Sequence, residues 1–305
     1  MTAAPRLSAL ERQDRRFGII AAAPAVLTIA ALFVYPMLYA IVLSFYHLND
    51  KTPAANGFVG LANYVQLFTN AQFQAALVRT LIFCIFTVFG GVAAAIGIAV
   101  LLNARFKGRM LVRVLLLVPW AVPPVVNGIM WKLIFDGSYG VANYVLMGVG
   151  LSNERIQWLA TPSLALGVLI VAELWKLTPF LALMALASMQ AIPSNMYRAA
   201  AIDGANIWQQ FWRMTLPNMK GTIMFLLIVQ SMWSIKVFDT IYVLTGGSGG
   251  PAEATTTINF LAYLTTFSYL DRGYGAAMSL TIMAIVTIVA ILWVLVLGRR
   301  DKAEV

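Results

Sequence analysis

Long apolar stretches alternate along this chain with short polar ones, at intervals that suit membrane-crossing helices. Six stretches stand out, at 17–46, 75–103, 113–135, 163–190, 220–244 and 275–298. Each reaches the ~20 residues that a helix needs to cross the hydrocarbon layer. Backbone groups find no water there, so each stretch must satisfy its own hydrogen bonds as a helix. The predicted fold class is therefore an all-α membrane protein with six spans. Proline punctuates two of them. Pro24 and Pro36 predict a kink or an interfacial start in the first span, because proline removes a donor and crowds the preceding turn. Pro119, Pro123 and Pro124 predict a broken third span. A broken helix is tolerated only where protein or a wet cavity covers the freed carbonyls, so the third span is predicted to line a pathway.

Composition agrees with this pattern. The chain has 305 residues, 61% hydrophobic and 11% charged, whereas a soluble domain carries about 25% charged residues. The net charge of +9 invites a nucleic-acid partner, but its distribution argues against one. Arg6, Arg12, Arg15 and Arg16 precede the first span. Arg105, Lys107, Arg109 and Arg113 lie around the second gap, Arg198, Arg213 and Lys220 in the fourth, and Arg299, Arg300 and Lys302 at the end. The opposite loops hold only Lys51, Arg155 and Arg272. Lysine and arginine concentrate on the cytoplasmic side, so both termini and the 191–220 loop are predicted to be cytoplasmic. The predicted organisation is a cytoplasmic segment at 1–16, a transmembrane domain at 17–298 and a cytoplasmic tail at 299–305, in a multi-pass membrane protein. The first apolar run exceeds the ~7–15 residues of a signal-peptide core, so it reads as a span. The single cysteine, Cys84, excludes an intrachain disulfide and reads as a small buried hydrophobe. No metal-spaced cluster of His and Cys occurs, and His47 reads as a helix-end residue.

The polar segment at 197–217 interrupts this pattern. Ile207 and Phe211 are four apart, with Trp208 and Trp212 on an adjacent stripe, which is an amphipathic helical spacing. Gly204 accepts positive φ and Asp203 can cap a helix N-terminus. Pro217 suits a stop or a first helical turn before the fifth span. The prediction is a short helix, a tight turn and a second helix. Ala199, Ala200, Asp203, Gly204, Leu216 and Pro217, with nine residues between Gly204 and Met214, resemble the cytoplasmic coupling loop of binding-protein-dependent ABC importer permeases. Arg198 and Met214 depart from that pattern in identity but not in spacing. Arg198, Ala199, Ala200, Asp203, Gly204, Ala205, Phe211, Leu216 and Pro217 are the candidate coupling residues.

The resemblance covers nearly the whole chain. Phe58, Gly60, Leu61, Asn63 and Tyr64 resemble an external-loop element of the carbohydrate-type permeases, the maltose and glycerol-3-phosphate group. Glu173 to Phe180 is a second element. Phe238 to Gly247, with Pro251 and Thr255, is a third. The resemblance implies a type I importer permease that moves a sugar or sugar derivative inward by alternating access, without covalent chemistry on it. It also implies a second permease subunit in a heterodimer, two copies of a cytoplasmic ATPase that bind ATP and Mg, and an extracytoplasmic solute-binding protein. The chain has no phosphate-binding Walker loop, so ATP hydrolysis is expected on another chain.

Apart from Arg79, Arg113 and Lys220 at span edges, five charged residues fall within the spans: Lys132, Glu173, Lys176, Lys236 and Asp239. Such groups are expensive at membrane depth and default to functional roles. Glu173 and Lys176 are three apart, as are Lys236 and Asp239, so each pair shares a helix face and can form an ion pair. Structural pairing and direct contact with a solute both remain open. Lys132 near the outer end of its span can snorkel. Asn127, Trp131, Trp175, Trp233, Ser234 and Tyr242 offer aromatic faces and hydrogen-bonding groups. The candidate pathway residues are Asn127, Trp131, Glu173, Trp175, Lys176, Ser234, Lys236, Asp239 and Tyr242. An autonomous secondary transporter of a small polar solute is the alternative. It needs internal repeats and an ion site in one chain, and no convincing repeat is present. A membrane enzyme needs a catalytic constellation, and none is evident.

Overall fold

The structure, a computed structural model, describes residues 9–298. Residues 1–8 and the tail 299–305, with Arg6, Arg299, Arg300 and Lys302, lie outside the described residues. Four helices are long and apolar enough to cross a membrane: Ile20–Ser44, Ala71–Asn103, Pro162–Ala191 and Arg272–Leu297. Two bent pairs complete the six predicted spans. Arg109–Ala121 and Pro124–Ile134 meet at 94°, and Lys220–Ile235 and Asp239–Thr245 at 42°. The chain divides into two compact units.

One unit comprises the chain up to Leu67 together with Thr265–Leu280. The first span continues through Pro24 without interruption and widens into a π-turn at Ala30–Val34. That turn lies where the Pro36 ring would press on the carbonyl of Leu32 in a regular α-helix, so the wider turn takes the place of the expected kink. After Ser44 the chain forms a two-stranded hairpin, Tyr46 opposite Phe58 and His47 opposite Gly57. His47 thus lies in a strand just past the helix end. The Phe58–Tyr64 element closes this hairpin. Asn63 is buried and donates to the carbonyls of Ser44 and Tyr46, each at 2.9 Å. The Tyr64 hydroxyl donates to Ser44 Oγ at 2.8 Å. Its residues therefore hold the end of the first span. The start of the last helix approaches the same hairpin so closely that a β-carbon at Gly273 would clash with the Tyr46 carbonyl oxygen.

The other unit holds Phe68–Leu264 and the remainder of the last helix. Its core is the second span laid along the fourth. Val92, Ala95, Ala99 and Leu102 pack against Leu181, Ala182, Ala185, Leu186 and Met189, with Leu226 and Leu227 of the fifth span alongside. The small Ala95 and Ala99 on one helix and Ala182 and Ala185 on the other let the backbones approach, which is how helices associate in lipid, where burial gives no hydrophobic gain. Polar side chains add cross-links between spans. Thr87 Oγ1 lies 2.8 Å from Ser234 Oγ, Gln230 Nε2 donates to the Thr87 carbonyl at 3.3 Å, and Trp293 Nε1 donates to Ser231 Oγ at 3.1 Å. Cys84 lies partly buried in this packing, as a small hydrophobe would. Beyond the third span, the Asp136 carboxylate accepts from the backbone N–H groups of Ser138 and Tyr139. These bonds hold its pKa below the usual carboxylate value.

The second half of the third span meets the second half of the fifth at a glycine. A β-carbon on Gly128 would lie 2.9 Å from Val243 Cβ and 3.3 Å from the Thr240 carbonyl oxygen. Gly128→Ala should therefore lower the thermal stability of the purified transporter, by about 1–3 kcal/mol for overpacking. Adding Val243→Ala should recover only part of that loss, because it removes Cγ1 at 3.1 Å but keeps the β-carbon at 2.9 Å. Thermal unfolding of the single and double variants in detergent checks this, and a single variant as stable as the parent would contradict it.

Candidate translocation cavity and coupling hairpin

Three spans converge on one charged cavity of about 450 Å³. The third contributes its break. Its first helix ends at Ala121, Val122 and Pro123 are extended, and Pro124 opens the next helix, where a missing N–H costs nothing. The predicted proline break is therefore present, and Trp120 to Pro124 form one wall. The fourth span stays helical from Pro162 to Ala191 and presents Glu173, Lys176 and Leu177. The fifth span, read in the sequence as one helix over 220–244, is interrupted at Lys236–Phe238. It contributes Trp233 and the run Lys236 to Thr240. Trp120 stacks on Phe180 with centroids 5.2 Å apart, and Phe180 meets Trp233 at 5.6 Å.

The expected ion pairs are absent. Among the described residues no salt bridge joins Glu173 to Lys176 or Lys236 to Asp239. The buried Glu173 carboxylate instead accepts from the Thr240 hydroxyl on the fifth span. The helix break explains the second failure, since a three-residue spacing brings side chains together only where the backbone stays helical. Lys236 and Asp239 flank the buried Val237 and remain exposed. The pathway candidates thus separate into two groups. Glu173, Lys176, Lys236 and Asp239 line the cavity together.

Asn127, Trp131, Trp175, Ser234 and Tyr242 are not among its lining residues. Asn127 is fully buried and donates to the Ala172 carbonyl at 3.5 Å, so it packs the third span on the fourth. Trp131 stacks on Phe135 and meets Trp175 edge-on at 5.9 Å. Ser234 bonds Thr87, and the Tyr242 ring lies 5.8 Å from Phe238 and from Tyr263. Lys132 is exposed. Trp120 and Thr240 are cavity residues that sequence reasoning missed. Trp120 follows directly on Pro119 at the break, and Thr240 lies one residue past Asp239 in the third family-like element.

The 194–218 segment is a helical hairpin. Ser194–Ile202 forms the first helix and ends in a Schellman turn: Gly204 N–H donates to the Ala201 carbonyl at 3.1 Å, and Ala205 N–H to the Ala200 carbonyl at 2.8 Å. Gly204 has φ +83°, which is why glycine stands there. Asp203 closes this first helix rather than opening the second. The N-cap is Asn206, which forms a capping box with Gln209. The second arm begins as Ile207–Gln210 and widens into a π-turn at Phe211–Thr215. Pro217 follows in the first turn of Leu216–Asn218. Tyr197 and Thr215 join the arms through a 3.0 Å hydroxyl contact.

The tip is open. Ala200, Asp203, Gly204, Ala205, Gln209, Arg213 and Met214 line a shallow groove of about 380 Å³. Arg198 and Ala199 are exposed on the first arm, and Ile207, Trp208 and Trp212 on the second. A β-carbon on Gly204 would meet nothing within 4 Å. Glycine is therefore required at the turn by its dihedral angle and not by crowding within the chain.

The family of inner membrane components of binding-protein-dependent transport systems matches residues 87–301. The trehalose/maltose transport system permease protein MalF of Thermococcus litoralis is 34% identical over 295 residues, 96% of this chain and 98% of that protein. The sulfoquinovosyl glycerol transport system permease protein SmoG of Agrobacterium fabrum is 32% identical over 292 residues, covering 96% and 94%. In fold, the chain superimposes on a crystal structure of a bacterial ABC transporter involved in the import of the acidic polysaccharide alginate. The TM-score is 0.81 at 23% identity, over 96% of this chain and 99% of that one. Two broken spans around a charged cavity and an open helical hairpin thus sit in a sequence that matches permeases along almost its full length, and the chain belongs to the family of inner membrane components of binding-protein-dependent transport systems.

Proposed function

We propose that this chain is one permease subunit of an ATP-driven importer for a sugar or sugar derivative. The observation that carries the reading is the open coupling hairpin on the same spans as the charged cavity. A self-sufficient carrier has no use for an exposed, rigid docking tip. In this reading solute crosses through the cavity bounded by Trp120, Glu173, Lys176, Trp233, Lys236 and Asp239. Ring faces stack on the tryptophans, and hydroxyls bond the charged groups. The sugar class is supported by the permeases named above. The hairpin faces the cytoplasm, as do both termini, consistent with the lysine and arginine bias. ATP and Mg bind two copies of a separate ATPase subunit, whose closure pushes on the groove around Gly204. A second, related permease completes the pore as a heterodimer, and an extracytoplasmic binding protein delivers the solute.

Two measurements test this. In lipid-reconstituted complex, ATPase activity should rise when the binding protein carries its sugar, and not with either alone. Trehalose, maltose and an acidic disaccharide form the first panel. If the isolated chain moves solute along an ion gradient with no ATPase present, the secondary-transporter alternative replaces this reading. The second measurement concerns Gly204. Gly204→Asn keeps a residue that tolerates positive φ and should retain most transport. Gly204→Trp should leave ATP hydrolysis in place and abolish coupled uptake. Normal uptake by the tryptophan variant, at normal membrane abundance, would remove the coupling role from this turn.

A further inference from the structure

The break in the fifth span has no local cause. Ser234-Ile235-Lys236-Val237-Phe238-Asp239-Thr240 contains neither proline nor glycine, the usual origins of a sharp helix bend. Left to itself the segment would continue as helix. Lys236 and Asp239 would then lie on one face and neutralise each other. In the structure Phe238 leaves helical geometry at φ −146°, ψ −61°. The carbonyl freed at Val237 is buried and needs a protein partner, while the one freed at Lys236 opens onto the cavity, where irregular backbone is tolerated.

Both are capped from one place, the segment after the Gly249–Gly250 turn. Asn259 Nδ2 donates to the Lys236 carbonyl at 2.9 Å, and Thr257 Oγ1 to the Val237 carbonyl at 3.5 Å. The same short helix, Ile258–Tyr263, packs its aromatic rings on Phe238, with Tyr263 at 4.5 Å and Phe260 at 5.9 Å. It is anchored in turn by the Ile258 N–H, which donates to Thr80 Oγ1 at 2.9 Å.

We infer that Asn259 is a positioning residue for the cavity: its amide holds the fifth span open at Lys236, so that Lys236 and Asp239 face the solute route as separate charges. The inference rests on the cavity being that route. Asn259 itself is not a lining residue. It acts through the Lys236 carbonyl, and the shorter Asn259–Lys236 bond outranks the longer Thr257 one.

The test needs no sugar. In the reconstituted complex, with Cys84→Ala as background, a single cysteine replaces Asp239. Its rate of modification by a charged methanethiosulfonate is measured. A control cysteine at the exposed Asn153, outside both the cavity and the groove, is measured separately. Asn259→Asp is isosteric but cannot donate when ionised. It should slow modification at 239 by about tenfold, the shift expected when one carbonyl loses its partner. Asn259→Gln keeps the donor and should stay near the parent rate. The control should not change in either variant. An unchanged rate at 239 in Asn259→Asp overturns the inference. So does an equal fall in Asn259→Gln, or a parallel fall at 153, since either would mean general loss of structure. If position 239 does not label even with Asn259 intact, the cavity is not a water-filled route, and the proposed function loses its pathway.

Discussion

A backbone group in hydrocarbon has nowhere to turn but to protein, and this one constraint organises the molecule. It makes the spans helical, and it makes any departure from helix expensive unless another part of the chain supplies the missing partner. The two sharp departures within the spans, at Val122–Pro124 and Lys236–Phe238, line the same cavity. The first uses prolines, which have no N–H to lose. The second uses side chains of a neighbouring helix to take up the carbonyls. Irregular backbone is concentrated where a polar interior is wanted, and the rest of the unit is packed closely enough to keep it there.

The sequence was unequally legible for the same reason. The six spans could be read because lipid imposes length and hydropathy directly on each stretch. The hairpin at 194–218 could be read because a Schellman turn demands a residue at positive φ, and Asp203-Gly204 announces it. The third span's break could be read from Pro119, Pro123 and Pro124. The fifth span's break could not. Its cause lies some twenty residues further on, in Asn259, Thr257 and the rings around Phe238. Missing that break also produced the false Lys236–Asp239 pair. Asn127 was misassigned for a related reason: an amide in a span signals a polar contact but not with what, and here the contact is the Ala172 carbonyl. The Asp203 cap failed by three residues, because Asn206 offers the same chemistry with Gln209 in place to complete the box.

Polar residues inside the spans divide by whether the chain itself satisfies them. Thr87, Ser231, Ser234 and Gln230 bond across spans two, five and six, and act as modest cross-links, each worth about 0.6 kcal/mol in comparable systems. Glu173 is satisfied by Thr240, a contact that also fixes the fourth span to the fifth. Lys176, Lys236 and Asp239 enter no ion pair among the described residues and lie on the cavity wall. Charges that the fold leaves uncompensated at membrane depth are expensive to maintain. Their gathering in one cavity, beside Trp120 and Trp233, is the observation on which the proposed solute route rests.

The connection between cavity and hairpin is short and stiff. The fourth span carries Glu173 and Lys176 and runs unbroken to Ala191; after Ile192 and Pro193 the first arm of the hairpin begins at Ser194. From Lys176 to Ala191 the helical rise is about 22 Å, with no flexible element between. The second arm leads through Pro217 and Asn218 directly into Lys220, the start of the fifth span, which carries Trp233 and Lys236. The hairpin therefore joins the two spans that supply the charged walls. Tyr197 and Thr215 tie its arms together, and the Schellman turn sets the geometry of its tip. In the proposed function, a displacement applied at Gly204 would reach both walls, because hydrogen-bonded helices transmit force and loose loops dissipate it. The third span, bent through 94° at Pro123, lies outside that linkage, so only two of the cavity's walls are joined directly to the hairpin. Relative motion of those walls is the physical requirement for opening the cavity first to one side and then to the other.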